Sequence, residues 1–464
     1  QVPDKFGSLL KLFLLQNFQD SEPESSEAIR NLVLLVASLT FCGHTELTSA
    51  GVTTQSSLYQ LPDFEMPVPE NRGSTVRNLQ AFQVLQSVFL KCSSASLGGT
   101  ILDAISTIYH GDNANFFLLQ NQHTLSQAAE KIAGKPRSVQ EKYFQLIEFL
   151  VHHIHHIPTK ELIAISLLLK AKKSLDCCVL AVQSLISILK FDNIFKDVFR
   201  EVGMVEVLVC LMSLYIDYLG AGEGGQSTQA VYQPSMVPLG EMVIIALTEL
   251  LTSSGQNSAV FRELGGAKLA GQLVRLQDTR DPGLGLLQQL VISAGPGGDD
   301  DMTGLLDLLH SCRQTDLGLK TDILRCLVGC LKESHRCRTV FRRIGGFVYI
   351  MSVLVGLEGS LDETGTDSPW ASVDRRAIFS LLHQIFSSLA VAMRYEPANA
   401  KFFHQEIAIN SLGEAVRLLG CFSHHTQLQN ISRRPDTDLI EAFQLTFSAE
   451  LPESARITTI PAKI

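Results

Sequence analysis

The chain has 464 residues and a net charge of −9, and it contains neither a basic cluster nor a basic tail. This charge balance excludes the electrostatic footprint of a nucleic-acid-binding protein and gives no support for polybasic attraction to a membrane. Charged residues make up only 18% of the chain, below the roughly 25% of an average domain, as expected for a piece of a larger protein with much buried surface.

Residues 1–73 divide into a helical part and a part without helical pattern. Apolar residues at helical spacing over 3–18 and 27–42 predict an N-terminal helical pair within 1–42, the start of a longer array. The apolar run from Leu32 to Leu39 is too short to span a membrane, and no signal segment precedes it, which predicts a cytosolic fragment. The stretch 43–73, which contains three prolines, is predicted to be an extended loop.

Residues 74–423 keep a helical period that is nearly continuous and predict twenty helices, the first at 75–92 and the last at 409–420. Their connections are short and carry Gly, Pro, Asn or Asp, apart from inserts at 220–236 and 359–370. Residues 424–464 lose the period and are predicted to be a poorly ordered C-terminal segment. The sequence therefore predicts an all-α fold.

A short motif recurs within this array, with Phe four residues before Gly. Its three copies contain Phe199 and Gly203, then Phe261, Gly265 and Gly266, then Phe341, Gly345 and Gly346. Apolar or small residues follow each first Gly at plus 4, 5, 8 and 9, which is the buried stripe of a helix. The first Gly adopts the left-handed conformation that ends one helix. A second Gly allows the next helix to start close against the first, and Phe fills the angle between the two helices. A basic residue follows each Phe and lies in the last turn of the helix, where the helix dipole favours a positive charge.

Such corners are typical of armadillo and HEAT arrays, so the motif predicts an armadillo/HEAT-like α-solenoid of stacked helices with a few long loop inserts. Two weaker copies, at Phe116 and Phe403, lack the Gly. The intervals between the five Phe positions, 116, 199, 261, 341 and 403, alternate between long and short. Since an armadillo or HEAT unit has roughly 40–47 residues, each interval contains more than one unit, or one unit with an insertion, and the sequence does not fix the boundaries.

The sequence gives only weak signals for a metal, phosphate or catalytic site. His152, His153, His155 and His156 form the densest cluster of metal-ligating residue types, but no Glu stands between them in a catalytic spacing, which favours a solvated or rim-packed face over a metal site. The ten cysteines are scattered through apolar helical patterns, as expected for reduced, buried thiols. Asp299–Asp301 follow a Gly-rich stretch and are predicted to cap a helix rather than bind phosphate or calcium.

The sequence contains neither a Gly-x-Ser-x-Gly nor a His-Glu-x-x-His motif. We therefore expect no enzyme, no catalytic residue, no cofactor and no small-molecule substrate. Trp370 is the single tryptophan, so the Trp and Asn ladder with which nuclear-import adaptors bind peptides is missing.

Several longer runs resemble a known family. They are Ile194–Gly203, Leu319–Arg325, Glu333–Ile350, Met393–Asn399 and Asp112–Asn115. Together they are similar to the N-terminal helical region of the WD-repeat and FYVE-domain-containing BEACH proteins, over about residues 30–423. Within that family they resemble the immune-cell paralogue more than the autophagy-linked member, because the inserts and the Cys and His content depart from the latter.

The resemblance implies a very large cytosolic scaffold that associates peripherally with endosomal or autophagic membranes through downstream modules. It implies roles in vesicle trafficking and autophagy, and in antigen handling for the immune-cell member. Partner proteins would dock on the solenoid surface without chemistry. Two other interpretations remain open: a small-GTPase-regulated armadillo module of formin type, and a hydrolase with the His cluster as its site.

Overall fold

The computed structural model describes residues 23–41, 45–48, 51–54, 75–223, 234–293, 298–361, 370 and 372–420. The predicted helix at 3–18 and the predicted C-terminal segment 424–464 lie outside these residues. The chain divides into two compact units. The first contains the described residues up to Ser311 together with Leu319–Ile344, and the second contains Cys312–Gly318 and the described residues from Gly345 onwards.

The described part of the chain after residue 74 forms twenty α-helices, and the sequence predicts twenty helices there. They are α2 Leu79–Lys91, α3 Ala95–Gly111, α4 Asn113–Leu119, α5 Thr124–Ile132, α6 Arg137–His152, α7 Thr159–Ala171, α8 Leu175–Phe191, α9 Ile194–Glu201, α10 Met204–Glu223, α11 Met236–Leu251, α12 Gly255–Glu263, α13 Gly266–Arg275, α14 Arg280–Ile292, α15 Gly298–Ser311, α16 Leu317–Glu333, α17 His335–Arg343, α18 Gly346–Val355, α19 Arg375–Met393, α20 Pro397–Phe402 and α21 Ile409–Arg417. The predicted all-α fold is confirmed.

Before these helices lie α1, Pro23–Leu39, and a small hairpin of β1, Thr45–Thr48, and β2, Gly51–Thr54. The strands are antiparallel and pair Thr45 with Thr54 and Leu47 with Val52. The hairpin falls inside the stretch predicted as an extended loop. Threonine and valine are residue types that favour strands. Helices α1 and α3 both pack against the hairpin, and these tertiary contacts support strands in so short a stretch.

In the first unit the long helices form two layers, because each packs on the next member of its own series. One series is α2, α5, α7, α10, α13 and α15, and the other is α3, α6, α8, α11 and α14. The side chains between the layers are almost wholly buried, for example Tyr143, Leu185 and Leu247. Stacking of this kind buries a continuous core that no single repeat could bury alone.

The second unit is built around α18, which packs on α19 and α21. The buried ring of Phe347 lies 5.9 Å from the ring of Phe402 and 5.6 Å from that of Phe403. Within the described residues one helix, α19, is long and apolar enough to cross a membrane. Its buried side chains recur at helical spacing, among them Ile378, Leu382 and Ile385, as in the core helix of a globular protein.

The helix boundaries reveal a long-range repeat. Helices α4–α11 and α12–α19 correspond one to one, and the first residues of the eight pairs are separated by nearly the same distance along the chain. In four of those pairs the number of residues from the start of the first helix to the start of the second is identical, and we call this number the repeat offset. These pairs begin at 113 and 255, 124 and 266, 175 and 317, and 204 and 346. Helix α20 begins one repeat offset after α12, so a third copy starts there. The chain therefore carries an eight-helix element twice.

This repeat explains the alternating intervals between the corners. Each eight-helix element consists of a three-helix set with a short first helix, a helix pair, and a second three-helix set. The inserts at 220–236 and 359–370 both fall between the second and third helices of that last set. The long intervals contain a three-helix set and a pair, whereas the short intervals contain a single three-helix set with its insert.

Candidate interaction surface

The predicted corner residues lie where one helix ends and the next begins. Phe199, Phe261 and Phe341 are fully buried, and Gly203, Gly265 and Gly345 have φ of 70°, 76° and 82°. These φ values lie in the left-handed region, where a side chain costs energy and Gly does not. At the first corner the axis turns by 78° between α9 and α10. Gly therefore turns the backbone at the end of each of these three short helices.

The second Gly serves a different purpose at the second corner. A Cβ atom on Gly266 would lie 2.5 Å from the ring of Phe261, which is too close for any side chain. The ring thus packs directly on the backbone at the start of α13. Gly346 also begins its helix and is buried, whereas the first corner has the buried Met204 at this position.

The weaker copies also turn at a residue with positive φ, in a register that the sequence does not reveal. At the first of them the buried residue four positions before the turn is Leu119, and Phe116 lies one turn earlier. His123 takes the place of Gly with φ of 52°. In the last copy Ala408 has φ of 64° after a π-turn that begins at Phe403. With Leu119 as the first corner residue, the two long intervals become equal, as the two short ones already are.

Three buried asparagines tie the short corner helices to the helices before them. The side-chain amides of Asn115, Asn257 and Asn399 donate to the carbonyls of Ile108, Leu250 and Ala392, at 2.8, 3.0 and 2.8 Å. In each case the acceptor is seven residues back, in the last turn of the preceding helix, where backbone carbonyls lack partners within the helix. Sequence reasoning missed these residues, although their even spacing by the repeat offset is a detectable signal.

One basic corner residue also connects the three-helix set α12–α14 to the helix pair that follows it. The guanidinium of Arg262 donates from Nε to Asp301 Oδ2 at 2.7 Å and from Nη2 to Leu290 O at 3.0 Å. Both members of this ion pair are largely buried, and burial raises the pKa of the Asp301 carboxyl while the hydrogen bond from Arg262 opposes that rise. The carboxylate lies in the first turn of α15, the position predicted for helix capping.

The four clustered histidines pack on phenylalanine rings. His152 and His155 lie 4.8 and 5.8 Å from the ring of Phe191, and His156 lies 4.9 Å from Phe116. Among the described residues, no group of three or more His, Cys, Asp or Glu has the geometry to hold a metal ion. Helix α6 ends at His152 rather than at the predicted residue 156, because His155 adopts a left-handed φ of 55°.

Two ring clusters flank the loop after α6, Phe117 with His156 and Phe191 with His152 and His155, and we call the partly exposed surface that they form the His–Phe surface. Phe117 is 51% exposed and Phe191 is 44% exposed. Each is followed closely by another exposed apolar residue, Leu118 and Ile194. The surface thus combines the corner helix α4, the end of α6 with the loop after it, and the end of α8, which are far apart in sequence.

The cysteines that the structure describes do not contribute to this surface. Cys92, Cys177, Cys178, Cys326, Cys330 and Cys337 are buried thiols. Burial raises the pKa of Cys177 to about 12 and that of Cys178 to about 11, so both remain protonated at neutral pH. They pack as small apolar side chains within α8.

Comparisons with known proteins identify the family of this chain. Residues 300–433 match the family model of Armadillo-like repeats. WD repeat- and FYVE domain-containing protein 4 of Homo sapiens is 32% identical over 93% of this chain. The protein of the same name from Mus musculus is 32% identical over 85% of it. The chain belongs to the family of WD-repeat and FYVE-domain-containing BEACH proteins. The resemblance inferred from the sequence runs is thereby confirmed.

The match concerns a small part of these relatives, since the chain spans 14% of the human protein and 12% of the mouse protein. BEACH domain-containing protein A2 of Arabidopsis thaliana is 26% identical over 39% of this chain and 6% of that protein. Among solved structures, a chain from a study of the phosphorylation-controlled interaction between cadherin and beta-catenin aligns with 12% identity and a TM-score of 0.37. That alignment covers 89% of this chain and 63% of the other.

Proposed function

We propose that this chain is a non-enzymatic protein-interaction scaffold segment of a large BEACH-family protein. The observation that carries the proposal is the His–Phe surface, since Phe117 and Phe191 are the two exposed phenylalanines among those that the structure describes. Exposed apolar clusters rimmed by polar residues are typical of protein interaction sites. Stacked helices supply a rigid frame for such a surface, since each repeat is fixed by its neighbours.

Kinship with the WD-repeat and FYVE-domain-containing proteins supports the cellular role that we propose. We propose that the parent protein works in endosomal vesicle trafficking and autophagy, and in antigen handling for cross-presentation in immune cells. The chain would be cytoplasmic and peripheral to endosomal or autophagic membranes. Its partners would be other proteins, with neither nucleic acid nor a small-molecule substrate involved.

The eight-helix repeat supplies the variant for a test in cells. One repeat offset after Phe117, Phe191 and Ile194 stand Ala259, Glu333 and Arg336. We therefore define the surface variant as Phe117→Ala, Phe191→Glu and Ile194→Arg, which introduces side chains that the fold already accommodates at the corresponding positions. Val348→Glu is the matched control, because Val348 is 57% exposed elsewhere and Glu206 stands one repeat offset before it.

The experiment is proximity labelling in cells with the full 464-residue chain fused to a biotin ligase. We expect endosomal and autophagy proteins to be labelled by the wild type and the control, and to be lost with the surface variant. Labelling of a Rho-type GTPase that depends on its nucleotide would instead support a module of formin type. Labelling without specific neighbours would refute the scaffold proposal and leave a structural spacer.

A further inference from the structure

The third copy of the eight-helix element is incomplete within the described residues. Helix α20 opens it, and Asn399 makes there the hydrogen bond that Asn115 and Asn257 make in the first two copies. Helix α21 follows as the counterpart of α5 and α13. The described residues end at 420, so the third helix of this set, the counterpart of α6 and α14, is not among them.

The apolar side of α21 is less covered than that of its counterparts. Val416 is half-buried, whereas Val274, one repeat offset before it, is fully buried. Ile409 is 67% exposed, whereas Leu125, two repeat offsets before it, is 2% exposed. Among the described residues, this face of α21 thus lacks the cover that the earlier sets have, and apolar side chains in water cost free energy.

The third helix supplies that cover in the complete sets. Tyr143 on α6 is fully buried, and its hydroxyl donates to Leu125 O at 3.0 Å. A Cβ atom on Gly283 of α14 would lie 3.1 Å from Val274 Cγ2, so the backbone of α14 packs directly on this side chain. The third set therefore needs an equivalent helix against the same two positions of α21.

A segment beyond the described residues has the spacing of such a helix. Residues 439–451 carry apolar side chains at i, i+3, i+7 and i+11, which are Ile440, Phe443, Phe447 and Leu451. In α6 the buried residues with the same spacing are Gln140, Tyr143, Ile147 and Val151. This spacing is typical of the buried stripe of a helix. No continuous period runs through 424–464 as a whole, so the segment stands out only when it is aligned with α6.

The ends of this segment carry helix boundary signals. Asp438 and Glu441 have the spacing of an N-cap residue and the N3 residue that reaches back to it. Pro452 follows Leu451 and disfavours a helical conformation of the residue before it. The pattern therefore predicts a helix that starts after Asp438 and ends before Pro452.

We infer that residues 439–451 dock on α21 as the third helix of its set, where Phe443 covers Ile409. The occupant belongs to the same chain, because the segment comes after α21 in the sequence as α6 comes after α5. The connection of residues 421–438 is longer than those before α6 and α14 and therefore does not restrict this placement. The apolar face of α21 is thus an interface within the chain, independent of the scaffold function.

The test is hydrogen–deuterium exchange, followed by mass spectrometry, on the full chain. The docking variant is Phe443→Glu with Phe447→Glu, and the matched control is Leu445→Glu, which lies on the opposite side of the same predicted helix. We expect the amides of 409–417 to exchange at least about tenfold faster in the docking variant, because their helix loses its cover, and at the wild-type rate in the control. The amides of α13 are the internal reference and are expected to be unchanged.

A double-mutant cycle tests the same contact with smaller substitutions. The losses of stability caused by Ile409→Ala and Phe443→Ala, measured by urea denaturation, are expected to be smaller together than their sum. Strict additivity, unprotected amides over 439–451 in the wild type, or unaltered exchange of α21 in the docking variant would overturn the inference. Protection that appears only where light scattering shows a dimer would assign the face to the segment of a second copy, and would also overturn docking within the chain. Proximity labelling through the His–Phe surface is independent of these results.

Discussion

Asn115 and Asn257 make the same hydrogen bond at equivalent places in two successive repeats, each from a fully buried side-chain amide to the carbonyl seven residues before it. Asn257 also donates to Lys196 O at 3.0 Å and accepts from Arg200 Nη1 at 3.1 Å. It therefore joins two successive three-helix sets. A side chain of this size and with both hydrogen-bonding roles is needed at the point where a short helix meets the end of a long one.

We expect Asn257→Ala to lower the free energy of unfolding by at least about 1–3 kcal/mol, because it leaves buried carbonyls without a donor. Urea denaturation followed by circular dichroism measures the change. Gln256→Ala is the control, since Gln256 is exposed on the same helix and its removal is expected to cost less than about 0.5 kcal/mol. Equal effects of the two substitutions would contradict a structural role for the buried amide.

The corner glycines allow a reciprocal exchange. Gly265 and His123 occupy the same corner position with φ of 76° and 52°. Gly265→Ala is expected to destabilise the chain by roughly 1–2 kcal/mol, the usual cost of a left-handed conformation for a residue with a Cβ atom. His123→Gly relieves that cost and is expected to leave stability unchanged or raise it.

A second substitution separates the backbone effect from a steric effect at the same corner. Gly266→Ala introduces a Cβ atom against the buried ring of Phe261, and overpacking of this kind costs about 1–3 kcal/mol. Thermal or urea unfolding of the three variants measures these differences. A stabilising Gly265→Ala or a strongly destabilising His123→Gly would show that the backbone conformation at the corner is not the decisive factor.

The sequence predicted those corners that carry Gly, because Gly is the common signal for a left-handed backbone. His123 and Ala408 adopt positive φ without that signal, and the chain around them imposes the conformation. The sequence pattern points to Phe116 as the first corner residue, whereas the structure has Leu119 there. This difference conceals the equality of the two long intervals. The His–Phe surface was beyond sequence reasoning for another reason. Phe117, His152 and Phe191 belong to three separate helices and meet only through their stacking.

The buried ion pair between Arg262 and Asp301 is expected to couple the three-helix set α12–α14 to the helix pair α15–α16. Arg262→Met leaves the Asp301 carboxylate buried with a partner removed, and breaking such a pair costs about 3–5 kcal/mol. Replacing both residues, as Arg262→Met with Asp301→Leu, is expected to recover much of that loss because neither charge remains buried. A double-mutant cycle from urea denaturation gives the coupling energy, and strict additivity of the two single effects would refute it.

The imidazole of His156 makes stability depend on pH. Burial lowers its pKa below the ordinary value of 6.5, and the carboxylate of Glu161 partly opposes the shift. The unfolded chain therefore takes up this proton first as the pH falls through 6.5, and the folded state loses stability from there down to the pKa of His156 in the fold. Above that window the contribution is fully present.

Substitution of His156 by glutamine removes this titration. We therefore expect the difference in melting temperature between pH 7.5 and 5.5 to be smaller in His156→Gln than in the wild type, because the destabilising protonation no longer occurs. His153→Gln, which removes an exposed imidazole from the same loop, is the control for a general loss of one histidine. An undiminished difference in His156→Gln would mean that the ring contacts with Phe116 and Phe117 do not select the neutral form.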